Sequence, residues 1–199
     1  MRISITPCKD IIIERREILI GDERALLPSE RPSFSRCVQR VKRQGGSARI
    51  AARSLLTDCG YTDWPLIRRP GFGPDWPPGL RGSLSHSEHY AVAALTSSKC
   101  YASIGIDIEP SIPLSKGVFD LVATPTEKTE VDHGSLQGML LFCAKEAAFK
   151  ALHPLDGKFL HMLDINVDFK SRSARTSCGR KVDLFIHKDA AIVVLGGVR

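Results

Sequence analysis

Two acids, Asp107 and Glu109, close the apolar run Ile104-Gly105-Ile106 with one residue between them. In a strand, side chains alternate faces, so Ile104, Ile106 and Ile108 would point one way and Asp107 and Glu109 the other. Gly105 would keep the acidic face uncrowded. Neighbouring carboxylates repel unless a cation lies between them. A hard cation such as Mg2+ suits oxygen ligands, and Mn2+ shares that preference. The competing reading is a strand end with solvated acids.

Glu146 and Lys150 stand at i and i+4 within Phe142-Cys143-Ala144-Lys145-Glu146-Ala147-Ala148-Phe149-Lys150. That spacing puts them on one helix face, where a surface ion pair is the common explanation. The flanks here are apolar, however. A carboxylate on such a helix would complete a metal site with Asp107 and Glu109, and Lys150 would face an anion held there. Ser85-His86 follows Gly82. Adjacent side chains diverge, which disfavours a serine–histidine nucleophile and base. Hydroxyls, an imidazole and turn amides suit phosphate oxygens; a polar loop is the alternative. Arg31, Arg36, Arg40, Lys42, Arg43, Arg49 and Arg53 occur with no acid among them. Such a block is a solvated helix face or the seat of an anionic partner. Together these groups describe a Mg2+-bound polyphosphate site.

The elements that must position them follow from pattern. Residues 1–20 mix β-branched residues with charges and predict one or two short strands. Pro28 and Pro32 mark a loop. Residues 35–56 read as two helices broken at Gly45-Gly46, the second capped by Ser47, with Arg49 and Arg53 on one face. The Pro- and Gly-rich stretch 61–81 is an extended loop leading to a Ser-His turn. Strands follow over 90–95 and 103–108. Pro110, Pro113 and Pro125 punctuate an irregular linker over 110–135. Residues 136–152 form the strongest helix, and strands are expected near 160–169, 181–187 and 190–195. Helix followed by strands, twice, predicts an α+β protein of two similar halves.

The 199 residues are 43% hydrophobic with a net charge of +6, enough for one compact domain or two small fused ones. No apolar stretch is long enough to span a bilayer. Residues 1–16 lack a signal-peptide pattern, so a cytoplasmic protein without a membrane partner is expected. The six cysteines contain no CxxC pair, which argues against a zinc ribbon. Cys143 reads as a small packing residue.

The motifs Gly82-Ser83-Leu84-Ser85-His86-Ser87, Ile104-Gly105-Ile106-Asp107-Ile108-Glu109 and Phe142 to Lys150, in that order, resemble the signature of the 4'-phosphopantetheinyl transferases. More narrowly they are similar to the large monomeric type that includes the enterobactin synthetase component D subgroup. Lys42-Arg43 through Arg53, and Trp76-Pro77, also resemble that subgroup. The likeness covers about residues 40–152.

The resemblance implies transfer of the phosphopantetheine arm of coenzyme A to a serine of an apo acyl or peptidyl carrier protein, with release of adenosine 3',5'-bisphosphate. It assigns Mg2+ to Asp107, Glu109 and Glu146. Glu146, or a water on the metal, would take the serine proton. Lys150, His86 and Ser85, with Lys145 as a further candidate, would contact the pyrophosphate. Arg49, with Arg53 or Lys42, would bind the 3'-phosphate, so the basic block meets a small anion rather than nucleic acid. The surrounding positive charge would attract acidic carriers. The implied fold is a pair of pseudo-twofold α/β halves, 1–110 and 111–199, with the site in the cleft between them. Asp107 and Glu109 would come from one half and Glu146 from the other, in a monomer serving siderophore, nonribosomal peptide or polyketide synthesis. Cys143 stands where a Ser or Thr is usual. The segment from Pro110 to Leu136, where carriers dock in the family, is short. None of Arg68, Arg69 and Arg81 matches uniquely the basic residue placed before the Ser-His motif.

Two alternatives use the same residues. A Mg2+-dependent nuclease also needs clustered acids, but Pro110 follows Glu109 where an acid-x-lysine strand would carry its lysine. A non-catalytic basic binding domain would not need the three acids to converge.

Overall fold

The structure is a computed structural model that describes residues 1–4, 10–68, 73–157, 160–177 and 179–199. Cys8, Arg69 and Cys178 lie outside the described residues, as does the 5–9 part of the first expected strand. The elements run β1 (Arg2–Ile3), β2 (Ile11–Glu17), α1 (Gln39–Asp58), β3 (Leu80–His86), β4 (Tyr90–Ser97), β5 (Ser103–Pro110), α2 (Lys116–Val122), α3 (Pro125–Glu130), α4 (Leu136–Asp156), β6 (Ile165–Asp168), β7 (Ser173–Thr176), β8 (Lys181–Lys188) and β9 (Ala191–Val198). Two antiparallel sheets result, in the orders β1-β2-β4-β3 and β5-β9-β8-β7-β6.

Burial explains the continuous apolar runs. On β4, Val92 and Ala94 join an apolar cluster with Ile104, Ile106, Ile108, Val193 and Leu195 of the second sheet. The alternate residues Ala93 and Leu95 pack on Ala51, Leu55 and Leu56 of α1. On β9, Val193 and Leu195 face the first sheet, while Ile192 and Val194 pack on α4 with Leu141, Ala147 and Ala151. The molecule is therefore layered: α1, first sheet, second sheet, α4. Strands covered on both faces cannot show polar alternation. No helix among the described residues is long and apolar enough to cross a membrane.

Several expectations are corrected. α1 runs unbroken through Gly45-Gly46. Its N-cap is Val38, and Ser47 is buried inside the helix. The glycines serve close approach. A Cβ on Gly45 would stand 2.3 Å from the Phe34 ring, and one on Gly46 would stand 2.0 Å from the Asp22 carbonyl oxygen. The helical cost of glycine, about 1 kcal/mol each, is offset by docking the 22–34 segment. The expected Ser-His turn is strand β3, paired with β4 from Leu80↔Ser97 to His86↔Ala91. The expected linker holds α2 and α3, because Pro125 starts a helix at its N1 position behind a Thr124–Glu127 capping box. Strand β7 was not expected. Above all, β5 pairs with β9, so the acidic strand is hydrogen-bonded into the second sheet rather than the first. The expected division at residue 110, with the acids and Glu146 on opposite halves, does not match this pairing.

Candidate active site

On β5 the isoleucines enter the core between the sheets, and alternation turns Gly105, Asp107 and Glu109 toward α4. Gly105 does more than avoid crowding. A Cβ there would stand 2.1 Å from the Ala147 carbonyl oxygen and 2.4 Å from the Ala151 amide nitrogen. Its cross-strand partner Gly196 would place a Cβ 3.1 Å from the same carbonyl. Paired glycines thus let the α4 backbone settle on the sheet, with Lys150 beside the acids.

Lys150 Nζ donates to Asp107 Oδ1 at 2.6 Å, to Ser85 Oγ at 2.9 Å and to the Ile106 carbonyl at 3.3 Å. Ser85 Oγ donates to Asp107 Oδ1 at 2.7 Å. Ile106 N–H donates to Ser83 Oγ at 3.0 Å. The edge strand of the first sheet, β3, therefore meets the edge strand of the second, β5, through serine hydroxyls. Ser83 was not anticipated; its alternation with Ser85 is the signal that could have found it.

Asp107 is 3% exposed, and its Oδ2 is buried without a hydrogen-bond partner. Such an orphaned atom is costly unless a ligand meets it. Burial raises Glu109 to about 7, with Asp107 and Glu146 adding to the shift and Lys150 opposing it. Burial and then Asp107 also raise Glu146. Burial works against the Lys150 ammonium, but Asp107 and Glu146 outweigh it and raise that group above its usual value. One lysine thus faces three mutually repelling acids. Among the described residues no three acids, histidines or cysteines stand close enough to form a ready metal cage. The oxygen donor set and the orphaned Oδ2 nevertheless fit a hard divalent cation. His86 is exposed by surface area, yet surrounding protein and then Lys150 hold its imidazole below the usual value. Cys143 is buried with its Sγ 3.8 Å from the Ile192 carbonyl, as expected of a packing residue.

Other expected ligands lie elsewhere. Lys145 is fully buried on a different face of α4. Its Nζ contacts Glu127 Oε2 at 2.6 Å, the Val122 carbonyl at 2.7 Å and the Met162 carbonyl at 2.9 Å. With its donors engaged there, it does not join Lys150. Arg49 is 4% exposed, donates to the Gly45 and Leu66 carbonyls and lies over the Phe34 ring. Arg49 and Arg53 both meet Glu30, at 3.4 and 2.9 Å. Glu30 is fully buried and also accepts the Leu27 and Leu66 amides. These arginines hold the 26–30 turn and the 66 region to α1 rather than presenting free guanidinium groups. Glu30, immediately before the acid-free block, was the signal for this pairing. Lys42 is half-buried and lines a separate hollow of about 380 Å³ with Arg31 and Phe34.

A cleft of about 800 Å³ opens between the 73–84 segment and the end of α4 and reaches Lys150. Arg68, Trp76 and Arg81 line one side, and Phe149, Lys150 and His153 the other. Trp76 packs against β3 at Gly82, where a Cβ would stand 2.5 Å from the indole.

Comparison with known proteins agrees with the two-sheet layout. Residues 29–96 match the 4'-phosphopantetheinyl transferase N-terminal domain, and residues 103–193 match the 4'-phosphopantetheinyl transferase superfamily. The break between the matches falls where the chain passes from β4 to β5. The chain is 32% identical to 4'-phosphopantetheinyl transferase PptT of Mycobacterium tuberculosis over 74% of its length and 66% of the relative's. It is 33% identical to 4'-phosphopantetheinyl transferase Npt of Nocardia iowensis over 76% of its length and 70% of that protein. It is 38% identical to enterobactin synthase component D of Escherichia coli over 53% of its length and 52% of that protein. The matched stretch thus spans from about half to 70% of these relatives' lengths. With α1, β3, β4, β5, α4 and the serine–acid–lysine junction inside the matched segments, the chain belongs to the 4'-phosphopantetheinyl transferase superfamily.

Proposed function

We propose that the protein transfers the 4'-phosphopantetheine arm of coenzyme A to a serine of an apo carrier protein, with Mg2+ or Mn2+ held by Asp107, Glu109 and Glu146. The observation that carries this reading is the buried, unpartnered Asp107 Oδ2 beside two acids whose charge Lys150 alone does not balance. When bound, the metal would neutralise charge on the pyrophosphate. Lys150 and His86 border that site and would hold the pyrophosphate oxygens, so charge that develops on them meets preorganised donors. Ser85 orients Lys150 and Asp107 through its hydroxyl. Glu146, raised by burial, is suited to accept the proton of the incoming serine. The serine oxygen attacks the phosphorus bearing the pantetheine. The bond from that phosphorus to the bridging oxygen breaks, and adenosine 3',5'-bisphosphate leaves.

The cleft with Arg68 and Arg81 on its rim suits an elongated anion. Arg49 and Arg53 are withdrawn from the 3'-phosphate role by Glu30, leaving Lys42 with Arg31, or Arg68, as its candidates. The two halves of the proposed pseudo-twofold arrangement divide between β4 and β5, and one chain supplies both, which favours a monomer. The relative named for enterobactin synthase points to carriers of siderophore or other nonribosomal peptide assembly. Family membership sets aside the nuclease and binding-module alternatives.

The test is incubation with coenzyme A, Mg2+ and an apo carrier, followed by mass measurement of the carrier. A gain of one phosphopantetheine arm is expected, and Glu146→Gln should abolish it while leaving the fold intact. No gain on any of several carriers would overturn the reading. Full activity of Glu146→Gln would remove its assigned role.

A further inference from the structure

Arg15 ends an otherwise apolar stripe. Ile11 and Ile13 on β2 face the second sheet, and Arg15, the next residue in that alternation, is only 6% exposed. Its guanidinium makes a two-pronged contact with Asp189 in the turn between β8 and β9, Nη1 on Oδ1 and Nη2 on Oδ2, the latter at 2.7 Å. Tyr90 lies beneath the guanidinium, 5.1 Å from ring centre to Cζ. Asp189 also accepts the Ala191 amide at 3.2 Å, and His187 Nε2 stands 3.4 Å from its Oδ2. The pair crosses from one sheet to the other.

Register places this crossing on the same rung as the active site. Arg15 pairs with Val92, and Val92 pairs with Ser85. At about 4.8 Å per strand, Arg15 and Ser85 lie about 10 Å apart on one row of the first sheet. One end of the row is tied to the second sheet through Asp189. The other end is tied to it through the Ser85–Asp107 bond, and to α4 through Lys150, which donates to Ser85.

We infer that Arg15 and Asp189 are positioning residues, a clamp that sets the tilt of the Arg15–Val92–Ser85 row so that Ser85 meets Asp107 and Lys150. A parallel pair of charge-assisted bonds fixes orientation as well as distance, which a lysine cannot do. The kinetic part of the test rests on the proposed transferase activity; the exchange part does not.

The experiment compares Arg15→Lys, Asp189→Asn, Ser85→Ala and the double variant Arg15→Lys/Ser85→Ala. The kinetic readouts are kcat and KM for coenzyme A. Hydrogen exchange is followed at the Ile106 amide, which donates to Ser83, and at the β3 amides. Either clamp variant should lower kcat about tenfold with KM nearly unchanged, as expected of a small misplacement. In the Ser85→Ala background the Arg15→Lys loss should vanish, because the contact it positions is gone. Ile165→Val, a buried truncation on the far edge of the second sheet, controls for lost stability and should keep kcat. Clamp variants with wild-type kcat, or losses that multiply in the double variant, would overturn the inference. If the unmodified protein transfers nothing, the proposed function fails and exchange decides the clamp. Faster exchange at Ile106 in both clamp variants supports it, and unchanged exchange refutes it.

Discussion

Replacing Lys145 by methionine separates two roles that its place beside Glu146 allows. As a phosphate ligand it would be dispensable for folding. In the structure its ammonium is fully buried, with Glu127 at 2.6 Å and two carbonyl oxygens within 2.9 Å. Burial lowers the Lys145 value, with Glu127 pulling it back up. Glu127 is 3% exposed and also accepts the Thr124 and Val167 amides. The pair therefore joins α4 to α2, α3, the 162–164 turn and β6. Removing one partner strands a buried carboxylate, at a cost of about 3–5 kcal/mol. At about 2–4 °C per kcal/mol for a chain of this size, Tm should fall by about 6–20 °C. Lys145→Met/Glu127→Gln removes the stranded charge and should recover part of that loss. Thermal melting measures the stability, and initial rates well below the lowered Tm measure transfer. A variant that melts with the unmodified protein but has lost transfer would refute this reasoning and return Lys145 to the phosphates.

Glu30→Gln should likewise lower Tm by several degrees, since it weakens a buried node shared by Arg49 and Arg53. Arg49→Met should do the same, and a loss confined to KM for coenzyme A with Tm unchanged would contradict the structural role. Gly105→Ala should cost about 1–3 kcal/mol by forcing α4 off the sheet, read as lower chemical-denaturation stability; a neutral result would show that the helix can shift freely. Burial holds Glu109 near 7, against an ordinary 4.5. The folded state therefore holds a proton that the unfolded chain releases, and stability should fall as pH rises from about 4.5 to 7, by at most about 2–3 kcal/mol. The difference in stability between the unmodified protein and Glu109→Gln, measured against pH in chelator, isolates that contribution. Mg2+ should flatten it, and a difference that does not vary with pH would sink the assignment.

Much of the site was legible because it depends on short-range geometry. Period-two alternation placed Asp107 and Glu109 opposite the isoleucines, and the i,i+4 spacing placed Glu146 with Lys150. Both relations hold whatever the rest of the chain does. The helix over 136–152 and the apolar strands were visible for the same reason. Punctuation misled where tertiary contacts reassigned it. Gly45-Gly46 marks a docking surface inside one helix, and Pro125 starts a helix rather than preventing one.

What the sequence determined by itself was the inventory of chemistry and the local facing of its acids and lysine: three carboxylates, a lysine and a serine–histidine pair in a fixed order. Tertiary structure decided which charges are free. Lys145 and Lys150, five residues apart on α4, differ by where the helix face meets other layers, one sealed against Glu127 and the other open to Asp107. Arg49 and Arg53 share a helix face with nothing in their spacing to show that Glu30 would occupy both. Packing also set β5 beside β9 and placed Ser85 against Asp107. Burial and long-range pairing belong to the assembled layers, so no local pattern in the chain could carry them.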